Sequence, residues 1–271
     1  MNDPFNIPFI DANEENGVVI QTWGEGVPLV VIPGLEGSGE SCLHFIVPAV
    51  EELLEQGVSF QLCLVNYSSE MCKTVDDLSE TIERLLQKTY QEKELLVFSQ
   101  SFGNLLTAKI GSRARLPIKG IFMISPFMKV PYLLIRLAYL SMFMTPTWLY
   151  RATIKPLGRY VFGPTGKAGR FHPFFEALTR ATSRHVRRQT GWLVPLNYET
   201  VYPELEVPVT IVLGRLDRLV NIEKEIANFE SLCSKRNDWK LLINDNNGHV
   251  IFIQNEVDWA KNDLVKFLLN G

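Results

Sequence analysis

Cysteine is scarce in this chain: four residues in 271, at positions 42, 63, 72 and 233. None forms a CxxC pair and none clusters with histidine at metal-ligand spacing, which excludes a zinc site built on thiolates. The thiols are expected to be reduced and structural. Cys63 lies in the apolar run Phe60 to Val65 and reads as a core residue. The N-terminal stretch lacks basic residues followed by an apolar core and instead reaches Asp11, Glu14 and Glu15, so no secretory signal is read there and a cytoplasmic location is the expectation. Long hydrophobic runs are missing too. The most apolar stretch, Pro131 to Tyr150, is interrupted by Arg136 and Pro146 and is too short for a membrane span. There is no internal repeat and no low-complexity tract. With a net charge of −3 the chain has no global bias toward nucleic acid.

What is present is an ordinary globular composition, 46% hydrophobic and 21% charged, which excludes disorder as the default. The length suits one large α/β domain or two small ones. Short apolar runs alternate with helical periodicity. Strands are predicted at Val18 to Trp23, Pro28 to Ile32, Phe60 to Val65, Glu94 to Phe98, Ile118 to Ile124, Val207 to Leu213 and Trp239 to Ile243. Helices are predicted at Phe45 to Leu54, Val75 to Leu86, Phe102 to Ile110, Ile222 to Leu232 and Val257 to Leu269. Near-continuous apolar strands joined by helices imply a parallel sheet covered on both faces. Between about Ser125 and Tyr202 the strand rhythm stops, and a helical, aromatic, basic segment reads as a cap inserted into the sheet domain.

Chemistry-bearing residues sit where strands end. The run from Leu95 to Asn104 passes from strand to helix with almost no loop, and Ser99 and Gly103 supply the small residues that a tight turn centred on Ser101 needs. Ser101 would then stand at a helix N-terminus, where developing negative charge is favoured. The competing reading is that Ser99 or Ser101 only caps the helix. Leu29 to Gly39 is an apolar strand ending in a glycine-rich loop. It lacks the Gly-Lys-Ser/Thr ending of a phosphate loop and reads either as a donor loop for an oxyanion or as a plain strand-helix turn. His249 follows the last strand, alone of the four histidines in being placed on a loop at a core strand's end. Asp217 lies in the loop after Val207 to Leu213. Asp245 is nearer in sequence but shares one short loop with His249 and reads as a turn former.

In the order Ser101, Asp217, His249 these residues resemble the α/β-hydrolase superfamily, as do the Pro33-Gly34-Leu35 loop, the serine elbow, the Gly214-Arg215-Leu216-Asp217 turn and the Gly248-His249 pair. The resemblance covers roughly residues 17–125 and 203–271. It implies a mostly parallel eight-stranded α/β sheet flanked by helices, a core domain of residues 1–125 and 203–271 with a helical cap at 126–202, and no cofactor. It also implies a nucleophile at Ser101, a base at His249, an orienting acid at Asp217 and oxyanion donors at the Leu35 and Phe102 N–H groups. The chain departs from common members at Pro33, where many have histidine, at Ser99, where many have glycine, and at Asn66 to Glu70, where a glycine-rich acidic turn is usual. A serine nucleophile argues against the dehalogenase branch.

The expected reaction is hydrolysis of a carboxylic ester or thioester. Acyl transfer, carbon–carbon bond hydrolysis, and a non-catalytic member that binds an acyl ligand or a membrane are the alternatives. From Lys129 to Trp192 there are eleven Lys and Arg and one acidic residue, so this segment carries about +10 and the rest of the chain about −13. Three readings follow: an anionic acyl carrier such as coenzyme A or an acyl carrier protein, an anionic membrane surface, or pairing with the acidic sheet domain. No recognition motif supports nucleic acid.

Overall fold

The computed structural model describes residues 9–68, 70–129, 132–153, 179–194, 201–249 and 259–270. Eight strands form one sheet: β1 Phe9–Glu15, β2 Val18–Trp23, β3 Val27–Ile32, β4 Phe60–Tyr67, β5 Leu95–Gln100, β6 Ile118–Ile124, β7 Val209–Gly214 and β8 Trp239–Asn244. Their order is β1-β2-β4-β3-β5-β6-β7-β8. The β1/β2 and β2/β4 pairs are antiparallel and the other five pairs are parallel. The helices are α1 Leu43–Glu55, α2 Val75–Tyr90, α3 Phe102–Ser112, α4 Tyr132–Met144, α5 Ser183–Leu193, α6 Ile222–Cys233 and α7 Trp259–Asn270, with residues 147–153 also helical.

The period-two alternation of the central strands sorts their side chains into two cores. Val30, Ile32, Leu95 and Val97 face one side, where α2 contributes Leu78 and Ile82, α3 Leu105 and α6 Phe229. Leu29, Val31, Leu96 and Phe98 face the other, where α1 contributes Phe45 and Ile46 and α7 Leu264 and Leu268. The strands are buried on both faces, which is why they read as continuous apolar runs rather than alternating ones.

β1 has no counterpart among the predicted strands. Phe9–Glu15 holds Asp11, Asn13, Glu14 and Glu15 and lies at the edge of the sheet, where polar side chains are tolerated. A tight turn joins it to β2 through Asn16 and Gly17, at φ +49° and +74°. An Asn-Gly pair with both residues at positive φ is the sequence signal of a two-residue hairpin.

The chain leaves β3 toward β4 on one side and returns to β5 on the other, so the crevice between the carboxyl ends of β3 and β5 is the topological switch point of the sheet. Both the glycine-rich loop and the serine turn open there. The chain between β6 and β7, whose described residues include α4 and α5, is tied to the sheet at its start. The buried Glu225 carboxylate of α6 accepts from the Met128 N–H at 2.8 Å and the Lys129 N–H at 3.2 Å. Within the segment, α4 packs against α5, with the Tyr139 ring over Gly191.

Candidate active site

Ser101 sits between β5 and α3 at φ +51° and ψ −119°, a conformation that costs a non-glycine residue free energy. Its N–H donates to the Ile124 carbonyl at 2.9 Å, which ties the turn to neighbouring β6. Gly103 is required by close approach: a Cβ there would lie 2.3 Å from the Pro33 oxygen and 2.4 Å from the Ile32 oxygen. The start of α3 therefore rests directly on the end of β3. Ser99 is fully buried, and its hydroxyl donates to Asn104 Oδ1 at 2.8 Å. Asn104 Nδ2 in turn donates to the carbonyls of Ser101 and Ile124 at 3.0 and 2.8 Å. A serine is accommodated where many hydrolases have glycine because its hydroxyl has a built partner.

The helix-cap alternative for Ser101 does not hold. Its side chain makes no capping hydrogen bond. Its Oγ lies 2.7 Å from His249 Nε2 instead. His249 Nδ1 lies 2.6 Å from Asp217 Oδ2. A carboxylate only accepts, so the Nδ1 side carries the ring proton and Nε2 is left to accept from the serine hydroxyl. Asp217 Oδ1 accepts from the Leu219 N–H at 2.7 Å, so both carboxylate oxygens are engaged. All three residues are buried, His249 at 1% exposure.

The loops that carry the acid and the histidine are joined backbone to backbone. The Arg215 N–H donates to the Asn244 carbonyl at 2.8 Å and the Leu216 N–H to the Asn247 carbonyl at 2.9 Å. Asp245 lies outside the site, its carboxylate accepting from Arg215 Nε at 2.6 Å. Asp217 thus faces His249, and Asp245 faces Arg215.

The glycine-rich loop after β3 lies against Ser101. A Cβ placed on Gly34 would be 3.3 Å from Ser101 Cβ and 2.8 Å from Glu36 Oε2. Three side chains that the sequence did not single out hold this loop. The Tyr67 hydroxyl, at the end of β4, reaches the Gly34 carbonyl at 2.5 Å and the Pro33 carbonyl at 3.0 Å. His185 Nε2, on α5, lies 2.8 Å from the Leu35 carbonyl. Glu36 is buried, and its Oε1 accepts from the Gly34 N–H at 3.0 Å and from the Ser41 hydroxyl. Burial pushes the Glu36 carboxyl above its ordinary value, against the opposing pull of those hydrogen bonds. Burial likewise holds the His185 imidazole below its ordinary value, as a neutral donor to Leu35. Phe102, the other expected oxyanion donor, is the first residue of α3, where helix N–H groups have no intrahelical acceptor. Among the described residues no group of His, Cys, Asp and Glu could hold a metal ion. His172 and residues 250–258 lie outside the described residues.

No family model and no curated protein sequence matches the chain. Solved structures do match over nearly its whole length. An esterase from Exiguobacterium antarcticum aligns over 97% of this chain and 97% of its own, with a TM-score of 0.72 at 13% identity. The enol-lactonase from Burkholderia xenovorans LB400 aligns over 97% and 100%, with a TM-score of 0.71 at 12% identity. A carboxylesterase from the thaumarchaeon Nitrososphaera gargenis aligns over 97% and 98%, with a TM-score of 0.68 at 16% identity. With its strand order and its loop placements, the chain has the α/β-hydrolase fold.

Proposed function

We propose that the protein is a serine hydrolase that cleaves a carboxylic ester or thioester, with an apolar acyl group, through an acyl-enzyme on Ser101. The observation that carries this reading is the buried chain Ser101 Oγ–His249 Nε2–His249 Nδ1–Asp217 Oδ2, at 2.7 and 2.6 Å, beside a glycine loop at the switch point of the sheet. Solved neighbours of the same fold that are named as esterases support it.

In this mechanism His249 takes the Ser101 proton as Oγ attacks the substrate carbonyl, and Asp217 stabilises the imidazolium that forms. The N–H groups of Leu35 and Phe102 stabilise the oxyanion. His249 returns the proton to the leaving alcohol or thiol. Water, deprotonated by the same imidazole, then releases the acid from the acyl-enzyme. Of the described residues between β6 and β7, Phe127 and Trp192, whose rings lie 6.5 Å from that of His249 and 6.4 Å from that of Phe102, supply apolar walls of the acyl site.

A fluorophosphonate probe should label Ser101, identified by peptide mass spectrometry. An ester and thioester panel of graded chain length should show turnover that falls roughly a million-fold in Ser101→Ala. Folded protein that takes no label, or a variant with unchanged turnover, would overturn the assignment.

A further inference from the structure

α4 is an apolar helix turned outward. Of its thirteen residues only Arg136 and Ser141 carry polar side chains beyond the Tyr132 and Tyr139 hydroxyls. At 3.6 residues per turn, Arg136, Leu137, Leu140, Ser141, Phe143 and Met144 share one arc of about 160°. All six are exposed. The opposite arc, with Ala138, Tyr139 and Met142, is partly covered. A surface helix ordinarily turns its polar face to water, and a helix apolar on all sides is ordinarily buried. Here Met144 is 86% exposed, and Trp148, just past the helix end, is 71% exposed.

The surroundings of this face are mostly cationic, with Glu70 of the sheet domain lining the same hollow as Phe143, Arg184 and Arg187. The described residues of the helical segment, at 129, 132–153 and 179–194, include seven Lys and Arg and no Asp or Glu. Arg136 lies within the apolar arc itself. Arg187 of α5 places its guanidinium 4.3 Å from the Phe143 ring centroid, and Arg184, one turn earlier, is exposed. Apolar side chains that project into solvent, a tryptophan among them and cations around them, match the two layers of a lipid interface: acyl chains for the first and anionic headgroups for the second. A second copy of the chain fits less well, because two such faces would bring like charges together.

We infer that the exposed face of α4, together with Trp148, docks on an anionic lipid bilayer. This goes beyond the proposed hydrolysis and does not depend on it, since docking is read without any reaction at Ser101. Among the described residues no helix is long and apolar enough to cross a membrane, so the contact is with the surface.

The test is sedimentation of the full chain with vesicles of phosphatidylcholine alone and of phosphatidylcholine mixed with phosphatidylglycerol. The expected result is co-sedimentation with the anionic vesicles, little with the neutral ones, and release at high salt. Met144→Glu combined with Trp148→Glu should weaken binding more than tenfold, and Arg184→Ala about fivefold. Both variants should keep the wild-type circular dichroism spectrum and wild-type labelling at Ser101. Three results would overturn the inference: no binding to anionic vesicles, binding that the variants leave unchanged, or a dimer in light scattering that the same variants disperse while vesicles stay unbound. Capture of coenzyme A or an acyl carrier protein at Arg184, with vesicles unbound, would also overturn it.

Discussion

The Tyr67 hydroxyl donates to the Gly34 carbonyl at 2.5 Å, across 33 residues of sequence. That carbonyl belongs to the same planar trans peptide as the Leu35 N–H, and in such a unit the two point in opposite directions. Holding the oxygen on the Tyr67 side therefore fixes the direction of the donor proposed for the oxyanion. Tyr67→Phe removes the restraint and leaves the ring in place. Steady-state kinetics on a soluble ester should show kcat reduced about tenfold with KM nearly constant. An unchanged kcat would show that the loop holds its orientation without the phenol.

Ser101 itself is strained, and a comparison of two inactive variants isolates the cost. Ser101→Ala and Ser101→Gly both remove the hydroxyl and its contact with His249. Only glycine relieves φ +51°. Urea denaturation should find the glycine variant more stable than the alanine variant by about 1 kcal/mol, the reverse of the usual order in a helix. Alanine equal to or better than glycine would mean that the turn carries no strain.

Glu36 links stability to pH. Its carboxyl is raised by burial, so the folded state prefers the neutral form. A raised carboxyl contributes stability that is fully present below its unfolded value, about 4.3, and is lost as pH rises through the folded value. Glu36→Gln keeps an amide oxygen to accept from the Gly34 N–H and the Ser41 hydroxyl but cannot ionise. The stability of the variant relative to wild type should therefore increase from acid to neutral pH. Denaturation curves across that range in which the difference is flat, or falls, would contradict the assignment.

Gly214 holds the acid loop against the histidine loop. A Cβ there would lie 2.1 Å from the Gly248 carbonyl oxygen and 2.5 Å from that of Asn247. Gly214→Ala must displace the segment that delivers His249 and should lower kcat about a hundredfold, the usual consequence of a misplacement of about 1 Å. Gly57→Ala serves as the control: its φ is +80° but no atom lies within 4 Å, so it should cost stability and spare activity. Equal activity in the two variants would show that the loops move together without harm.

The parts of this fold that were legible in the sequence are those governed by local pattern. The central strands β3 to β7 announced themselves as apolar runs because they feed side chains into both cores. β2 and the edge strand β8 hold enough apolar residues to be read although they are only partly buried. Ser101, Asp217 and His249 could be read from their places after β5, β7 and β8, in a fixed order along the chain. β1 escaped because an edge strand need not be apolar, although Asn16-Gly17 marked its turn. The outward face of α4 was also hidden: its apolar residues read equally well as cap core, and only their exposure distinguishes the two.

What the tertiary structure alone decided is the loop beside the serine. Tyr67 and His185 reach it across 33 and 150 residues, and Glu36 occupies it as a buried carboxyl. No spacing rule joins these positions. Sequence order determines which residues stand at the carboxyl ends of the strands, because each strand is specified by its own apolar run. Which side chains converge on a backbone carbonyl depends on how sheet and helices pack. That is a property of the whole chain at once.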